Sequence, residues 1–275
     1  MKLHQELDIR YSEPSKKFGK FIRQFIFMKQ TDTEKTFADK YIPDGYTSFV
    51  IHFGAKVYYF SNGEVLPLPR FFLVVPLHQS LHILVPCFCD TLIVTFHTTM
   101  FTRLFNIDLN RKRNTPFVSA ENIFSEPELQ KISSFDSDNQ RMKFIEEWLS
   151  RKVSIENYEA DEIDQIFDEL MNQHGSCPIH SILQHKKIDP RTFRRKFLQR
   201  TGMNAKSLCR IARFHYLWSG FRTLGVNDIQ TMIYEGGFYD QSHMINDFKN
   251  FIGESPKTFF TRDQEPVCFM SGKSI

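Results

Sequence analysis

The sequence predicts an α+β protein in two parts: an N-terminal antiparallel β domain that runs into helices, and a C-terminal region that is all α. Three observations predict this. Short runs of strand-forming residues recur between Thr47 and His97, punctuated by Gly and Pro. From Thr99 onward the apolar residues switch to a helical period. The segment IDPRTFRRKFLQRTGMNAKS, from Ile188, also superimposes on YDQSHMINDFKNFIGESPKT, from Tyr239, at an offset of 51 positions.

The β region is read in order. Asp44-Gly45 is a turn signal, and Thr47 to Phe53 is a strand that Gly54 breaks. Lys56 to Phe60 runs into Asn62-Gly63, the dipeptide that most favours a two-residue hairpin. Phe71 to Val75, Leu81 to Val85 and Thr91 to His97 follow, separated by Pro76 and Pro86. Short strands at this spacing predict a sandwich or barrel over about 41–97. Met100, Phe101, Leu104 and Phe105 then start a short helix. Further helices are expected near 126–134, 138–152 and 160–173. The last two carry stripes at Phe144, Ile145, Trp148 and Leu149, and at Ile163, Ile166, Phe167 and Leu170. These stripes exceed what one small β domain needs, so a homodimer contact is expected through these helices or the sheet edge beside them. Gly175 to Pro178 is the joint, which divides the chain into 1–173 and 174–275.

In the C-terminal part each repeat keeps a cap, an apolar pair and a terminal glycine. Asp189 matches Asp240, Phe193 matches Met244, Phe197 matches Phe248 and Gly202 matches Gly253. Asp189 caps a helix beginning at Pro190, where the missing N–H costs nothing. Phe193 and Phe197 at i, i+4 are its buried stripe, and Arg191, Arg194 and Arg195 point elsewhere. A shorter helix with Ile179, Ile182 and Leu183 precedes it. Helix, tight turn and arginine-rich helix is the geometry that lays a helix in a major groove. In the second unit Asn227 or Asp228 caps a helix with Ile229, Met232 and Ile233. Gly236-Gly237 turns the chain and Phe238 plugs the gap between helices. Asp240 opens a helix with Gln241, Ser242, Ile245 and Asn246 outward. Ser255 caps a last short helix with Pro256 first. Residues 205–222 form a connecting rod of roughly 27 Å, and adjacent major-groove segments on one face of DNA lie about 34 Å apart. About seven helices are expected in 176–262.

Charge follows this division. Of the net +3, residues 170–275 hold 15 Lys+Arg and 8 Asp+Glu, and residues 1–169 hold 20 and 24. The basic half is therefore the half with the repeat, as contact with phosphate requires. The five cysteines are odd in number and irregularly spaced, which implies no disulfide framework. No secretory signal and no run of 18 apolar residues is present, so the expected location is the cytoplasm.

These residues resemble the AraC/XylS family of bacterial transcription regulators. In the second unit the likeness runs through Ile229, Met232, Gly237-Phe238, Asp240-Gln241-Ser242-His243, Phe248-Lys249, Gly253 and Ser255-Pro256. In the first it rests on Asp189 to Phe197 and Gly202. It departs at Ala205, where proline is usual, and at Lys187, where glycine is common. The resemblance covers about 170–262 and implies double-stranded DNA as the partner, with RNA polymerase as a further one. It implies base contacts by Arg191, Arg194, Arg195, Gln241, Ser242 and Asn246. Phosphate contacts are expected from Lys187, Lys196, Arg200, Lys206, Lys249 and Lys257. In the N-terminal half, Ile42-Pro43-Asp44-Gly45, His52-Phe53-Gly54 and Leu68-Pro69-Arg70 resemble the N-terminal domain of a branch of these regulators, which implies a cupin-like sensor or dimerisation domain.

The alternative is a cupin-type metalloenzyme with a DNA-binding tail. His52, His78, His82 and His97 lie in or beside strands, but there is no His-x-His pair, and Glu64 is the only acid between Gly45 and Cys89. The reading is therefore no enzyme, no metal and no cofactor. A small-molecule effector is expected in a pocket lined by Phe49, Tyr58, Phe60, Phe72 and Phe96.

Overall fold

The computed structural model describes residues 7–30, 36–61, 63–85, 88–112, 116–120, 123–224, 233–234 and 237–260. Among them ten strands form two antiparallel sheets. β1 (Leu7–Ser12), β2 (Ile22–Gln30), β4 (Thr47–His52), β7 (Phe71–Val74), β9 (Cys89–Phe96) and β10 (Phe117–Ser119) make a six-stranded sheet in the order β1-β2-β9-β4-β7-β10. β3 (Phe37–Tyr41), β5 (Tyr58–Ser61), β6 (Glu64–Pro67) and β8 (Leu81–Val85) make a four-stranded sheet in the order β3-β8-β5-β6. The predicted hairpin is present. Ser61 pairs with Glu64, which leaves a two-residue turn, and Gly63 has a φ of 83°. Asn62 itself lies outside the described residues. β1 and β2 precede the region the sequence assigned to strands, β3 and β10 flank it, and β6 is the second strand of the predicted hairpin.

The larger sheet is buried on both faces, and its strands sort their side chains with period two. Phe25, Phe27, Phe49, Phe71, Leu73, Leu92, Val94 and Phe96 point to one side. There they meet α1 (Thr98–Leu104), α2 (Glu126–Ser133) and α3 (Asp138–Lys152), whose Phe101, Ile132, Phe144 and Trp148 complete that core. Ile26, Met28, Val50, Phe72, Val74 and Ile93 point to the other side, against Tyr41, Val57, Leu68, Ile83 and Val85 of the smaller sheet.

α4 (Glu162–Asn172) packs elsewhere. Its Ile163, Ile166, Phe167 and Leu170 join a third core with α5 (Ile179–His185), α6 (Pro190–Thr201), α7 (Ala205–Leu224) and α8 (Gln241–Ile252). Ile42 and Tyr46, from the loop between β3 and β4, belong to the same core. The apolar stripes of α3 and α4 are thus consumed inside the chain, and this removes the reason for a dimer contact through those helices. A short α9 (Pro256–Phe260) follows α8. Among the described residues five helices lie in 176–262. The expected helix capped at Asn227 or Asp228, with Ile229, Met232 and Gly236, lies outside them apart from Ile233 and Tyr234.

At the joint, Gly175 has a φ of 65°, and a Cβ there would stand 2.2 Å from Cys209 O. The chain passes α7 so closely that only glycine fits.

Candidate nucleic-acid interface

α6 and α8 are each 12 residues long and end alike. Asp189 Oδ2 accepts from Thr192 N (2.8 Å) and Asp240 Oδ1 accepts from His243 N (2.7 Å), so both N-termini are capped by the expected carboxylates. Gly202 (φ 70°) and Gly253 (φ 90°) close both helices in the left-handed region. Phe193 and Phe197 are buried in one, Met244 and Phe248 in the other. Arg191, Arg194, Arg195 and Lys196 are exposed on α6; Gln241, Ser242, Asn246 and Lys249 are exposed on α8. Lys187, Lys206 and Lys257 are exposed as well.

Both departures in the first unit are absorbed locally. Lys187 adopts φ 54°, the conformation glycine would supply more cheaply. Ala205 is buried at the start of α7, and Asn204 Oδ1 caps that helix by accepting from Ser207 N (2.8 Å). In the second unit Phe238 is buried as expected, and Ser255 Oγ accepts from Thr258 N (3.1 Å) to cap α9.

Arg200 corrects the expected phosphate set. Its Nη1 lies 2.7 Å from Asp161 Oδ1 and 3.2 Å from Asp164 Oδ1, with only 15% of the side chain exposed. Asp161 is the N-cap of α4, and Asp164 is fully buried. Burial alone would raise the Asp161 carboxyl, but hydrogen bonds from Arg200 and the backbone, with the charges of Arg200 and Arg103, hold it at about 2. Arg200 ties α6 to α4 and does not face outward.

A second pairing was not legible in the sequence. Asp247 on α8 is buried and accepts from Arg210 of α7 at 3.0 and 2.6 Å. Its charge is neutralised inside the fold, so it does not oppose phosphate. Asp240 is the acid left at the exposed start of that helix.

The five aromatic residues expected around a pocket are not brought together. Phe49 and Phe96 face the helices, whereas Phe72 faces the smaller sheet. Strand alternation separates them, because Phe49 pairs across to Leu73 and its neighbour Val50 to Phe72. Tyr58 is half-buried and Phe60 is 40% exposed. A cavity of about 30 Å³ does lie between the sheets, lined by Tyr41, Val50, His52, Val57, Phe72 and Ile83 among others. His52 is one of its polar members, with Thr91 and Tyr41. His52 Nδ1 stands 2.9 Å from Thr91 Oγ1, while Nε2 is buried without a hydrogen-bond partner among the described residues. Burial lowers the His52 pKa to about 4, so the ring is neutral. The other three histidines lie apart: His97 Nδ1 is 3.4 Å from Asp168 Oδ1 in α4, and His78 and His82 are exposed on the β domain.

Residues 184–262 match a family model described as a helix-turn-helix domain. No curated protein matches the chain in sequence. Among solved structures, ToxT from Vibrio cholerae at 1.65 Å is 11% identical, covering 98% of this chain and 100% of that one, with a TM-score of 0.47. Wild-type ToxT of Vibrio cholerae strain SCE256, bound to an unsaturated fatty acid, is 12% identical over 95% of this chain and 97% of that one, with a TM-score of 0.46. The AraC-like transcriptional activator CuxR is 10% identical over 96% and 89%, with a TM-score of 0.24. Among the described residues no helix is long and apolar enough to cross a membrane. The matched region, with its capped helices and the exposed polar faces of α6 and α8, gives this chain an AraC-type helix-turn-helix domain at its C-terminus.

Proposed function

We propose that the chain binds DNA sequence-specifically through two helix-turn-helix units that read adjacent major-groove segments, with α6 and α8 as the reading helices. The observation that carries this is their equivalence: same length, same Asp and Gly caps, an apolar pair inward and a polar face outward. Arg191, Arg194 and Arg195 present guanidinium groups that suit the O6/N7 edge of guanine. Gln241, Ser242 and Asn246 present neutral groups, of which the two amides suit adenine. Lys187, Lys196, Lys206, Lys249 and Lys257 supply phosphate contacts.

Residues 1–173 serve as the sensing and dimerising half, of the cupin-like kind, and residues 174–275 as the DNA-binding half with RNA polymerase as a further partner. The small-molecule effector acts on this half of the chain; the inter-sheet cavity, with His52 Nε2 in apolar surroundings, has room for a water-sized group and would have to widen to admit it. A homodimer forms through a sheet edge, since the stripes of α3 and α4 are spent inside the chain.

Selection of bound DNA from a random pool, with and without cell metabolites, tests the reading. Two conserved half-motifs about one helical turn apart are expected. A selected pool no different from the starting one would reject it.

A further inference from the structure

The C-terminal end of α8 is held by the β domain. Lys40 Nζ donates to Ile252 O (2.9 Å) and to Glu254 Oε1 (2.9 Å), and Ser80 N donates to Phe251 O (2.8 Å). The last carbonyls of a helix have no partner of their own and carry its negative end, so a buried ammonium and a backbone N–H are the groups they need. Lys40 and Glu254 keep only 12% and 18% of their side chains exposed. The first unit is docked by different residues, through Arg200 to Asp161 and Asp164 on α4.

Lys40 lies in β3, and Ser80 immediately precedes β8. These two strands pair directly, with Lys40 opposite His82 and Tyr41 opposite Leu81. The residues next to the clamp turn the other way: Tyr41, Leu81 and Ile83 line the cavity between the sheets. One strand pair therefore touches the cavity with one face and α8 with the other.

We propose that Lys40 and Ser80 are positioning residues for the second reading helix, and that the β3–β8 edge is the route by which the contents of the inter-sheet cavity reach it. This rests on the DNA-binding role of α8, and the test separates the two claims. Amide hydrogen exchange is measured on the full-length chain without DNA, followed by footprinting on selected DNA. Lys40→Met should speed exchange across 241–252 roughly tenfold while 190–201 keeps its wild-type rate, and Lys40→Arg should restore protection. Val50→Phe, which overfills the cavity from the opposite sheet, should speed exchange in the same segment. On DNA, Lys40→Met should lose protection of one half-motif and keep the other. Unchanged exchange in 241–252 for Lys40→Met or for Val50→Phe, or equal acceleration of both helices, would overturn the proposal. So would a variant that protects both half-motifs with wild-type affinity. If exchange responds as expected but wild-type protein protects no DNA, the DNA reading fails and the clamp stands.

Discussion

Arg210 and Asp247 face each other across the contact between α7 and α8, with Nη2 2.6 Å and Nε 3.0 Å from the same carboxylate oxygen, Oδ1. Asp247 is buried, whereas Arg210 keeps about a third of its side chain exposed. Removing the arginine strands a buried carboxylate. Arg210→Met should therefore destabilise the chain by on the order of 3 kcal/mol, the low end for a broken buried pair. Adding Asp247→Leu should recover most of that loss. Urea denaturation of both singles and the double checks this, and additive losses would show that the pair is not coupled.

Three left-handed glycines rank by what surrounds them. At Gly253 an added Cβ meets nothing within 4 Å, so Gly253→Ala should cost only the conformational term, about 1–2 kcal/mol. At Gly202 the Cβ would stand 3.3 Å from Leu109 O, which adds a small steric term. At Gly175 it would collide with the backbone of α7 at Cys209, and a loss of about 3 kcal/mol or more is expected. Thermal melts of the three alanine variants should fall in that order, and a mild Gly175→Ala would contradict the close approach at the joint.

His52 gives a pH dependence with a definite sign. Its folded pKa, about 4, lies below its ordinary value of 6.5. The unfolded chain binds the proton first, so stability is full above pH 6.5 and declines as pH falls toward 4. Between pH 7 and pH 5 this group should remove about 2 kcal/mol. His52→Leu should lack that component, leaving a flatter profile by denaturant titration. Parallel profiles for variant and wild type would show that the ring is protonated without cost.

Local signals were legible in the sequence, and non-local ones were not. The caps at Asp189 and Asp240, the αL glycines and the two-residue hairpin before Glu64 depend on a few adjacent residues, and each formed as read. β2 was missed because its burial on both faces leaves Phe25 to Met28 without polar alternation. The aromatic pocket failed for the converse reason. Both faces of the larger sheet are apolar, so composition could not show which aromatics share a side. Lys196 and Arg200 read alike in the sequence. Only the arrival of Asp161 and Asp164, some 36–39 residues earlier, decides that Arg200 is structural.

That difference sets the last prediction. Arg195 is exposed and capable of a bidentate bond to guanine, so Arg195→Ala should cost about 1–3 kcal/mol and relax preference at one base pair. Asn246→Ala should cost clearly less, because α8 presents neutral groups with Asp240 at its exposed start, and one Debye length is about 8 Å at physiological salt. Lys196 faces outward, so Lys196→Met should reduce the salt slope of binding by about one. Arg200→Gln should leave that slope unchanged and lower stability instead, since its guanidinium is spent on two carboxylates of α4. The loss should show above pH 4 and fade as pH falls toward 2, where Asp161 takes up its proton. Binding titrations at several salt concentrations, paired with denaturation of the same variants, decide between these roles. A reduced slope for Arg200→Gln at unchanged stability would return Arg200 to the DNA-facing set, and a larger loss from Asn246→Ala than from Arg195→Ala would reverse the order of the two units.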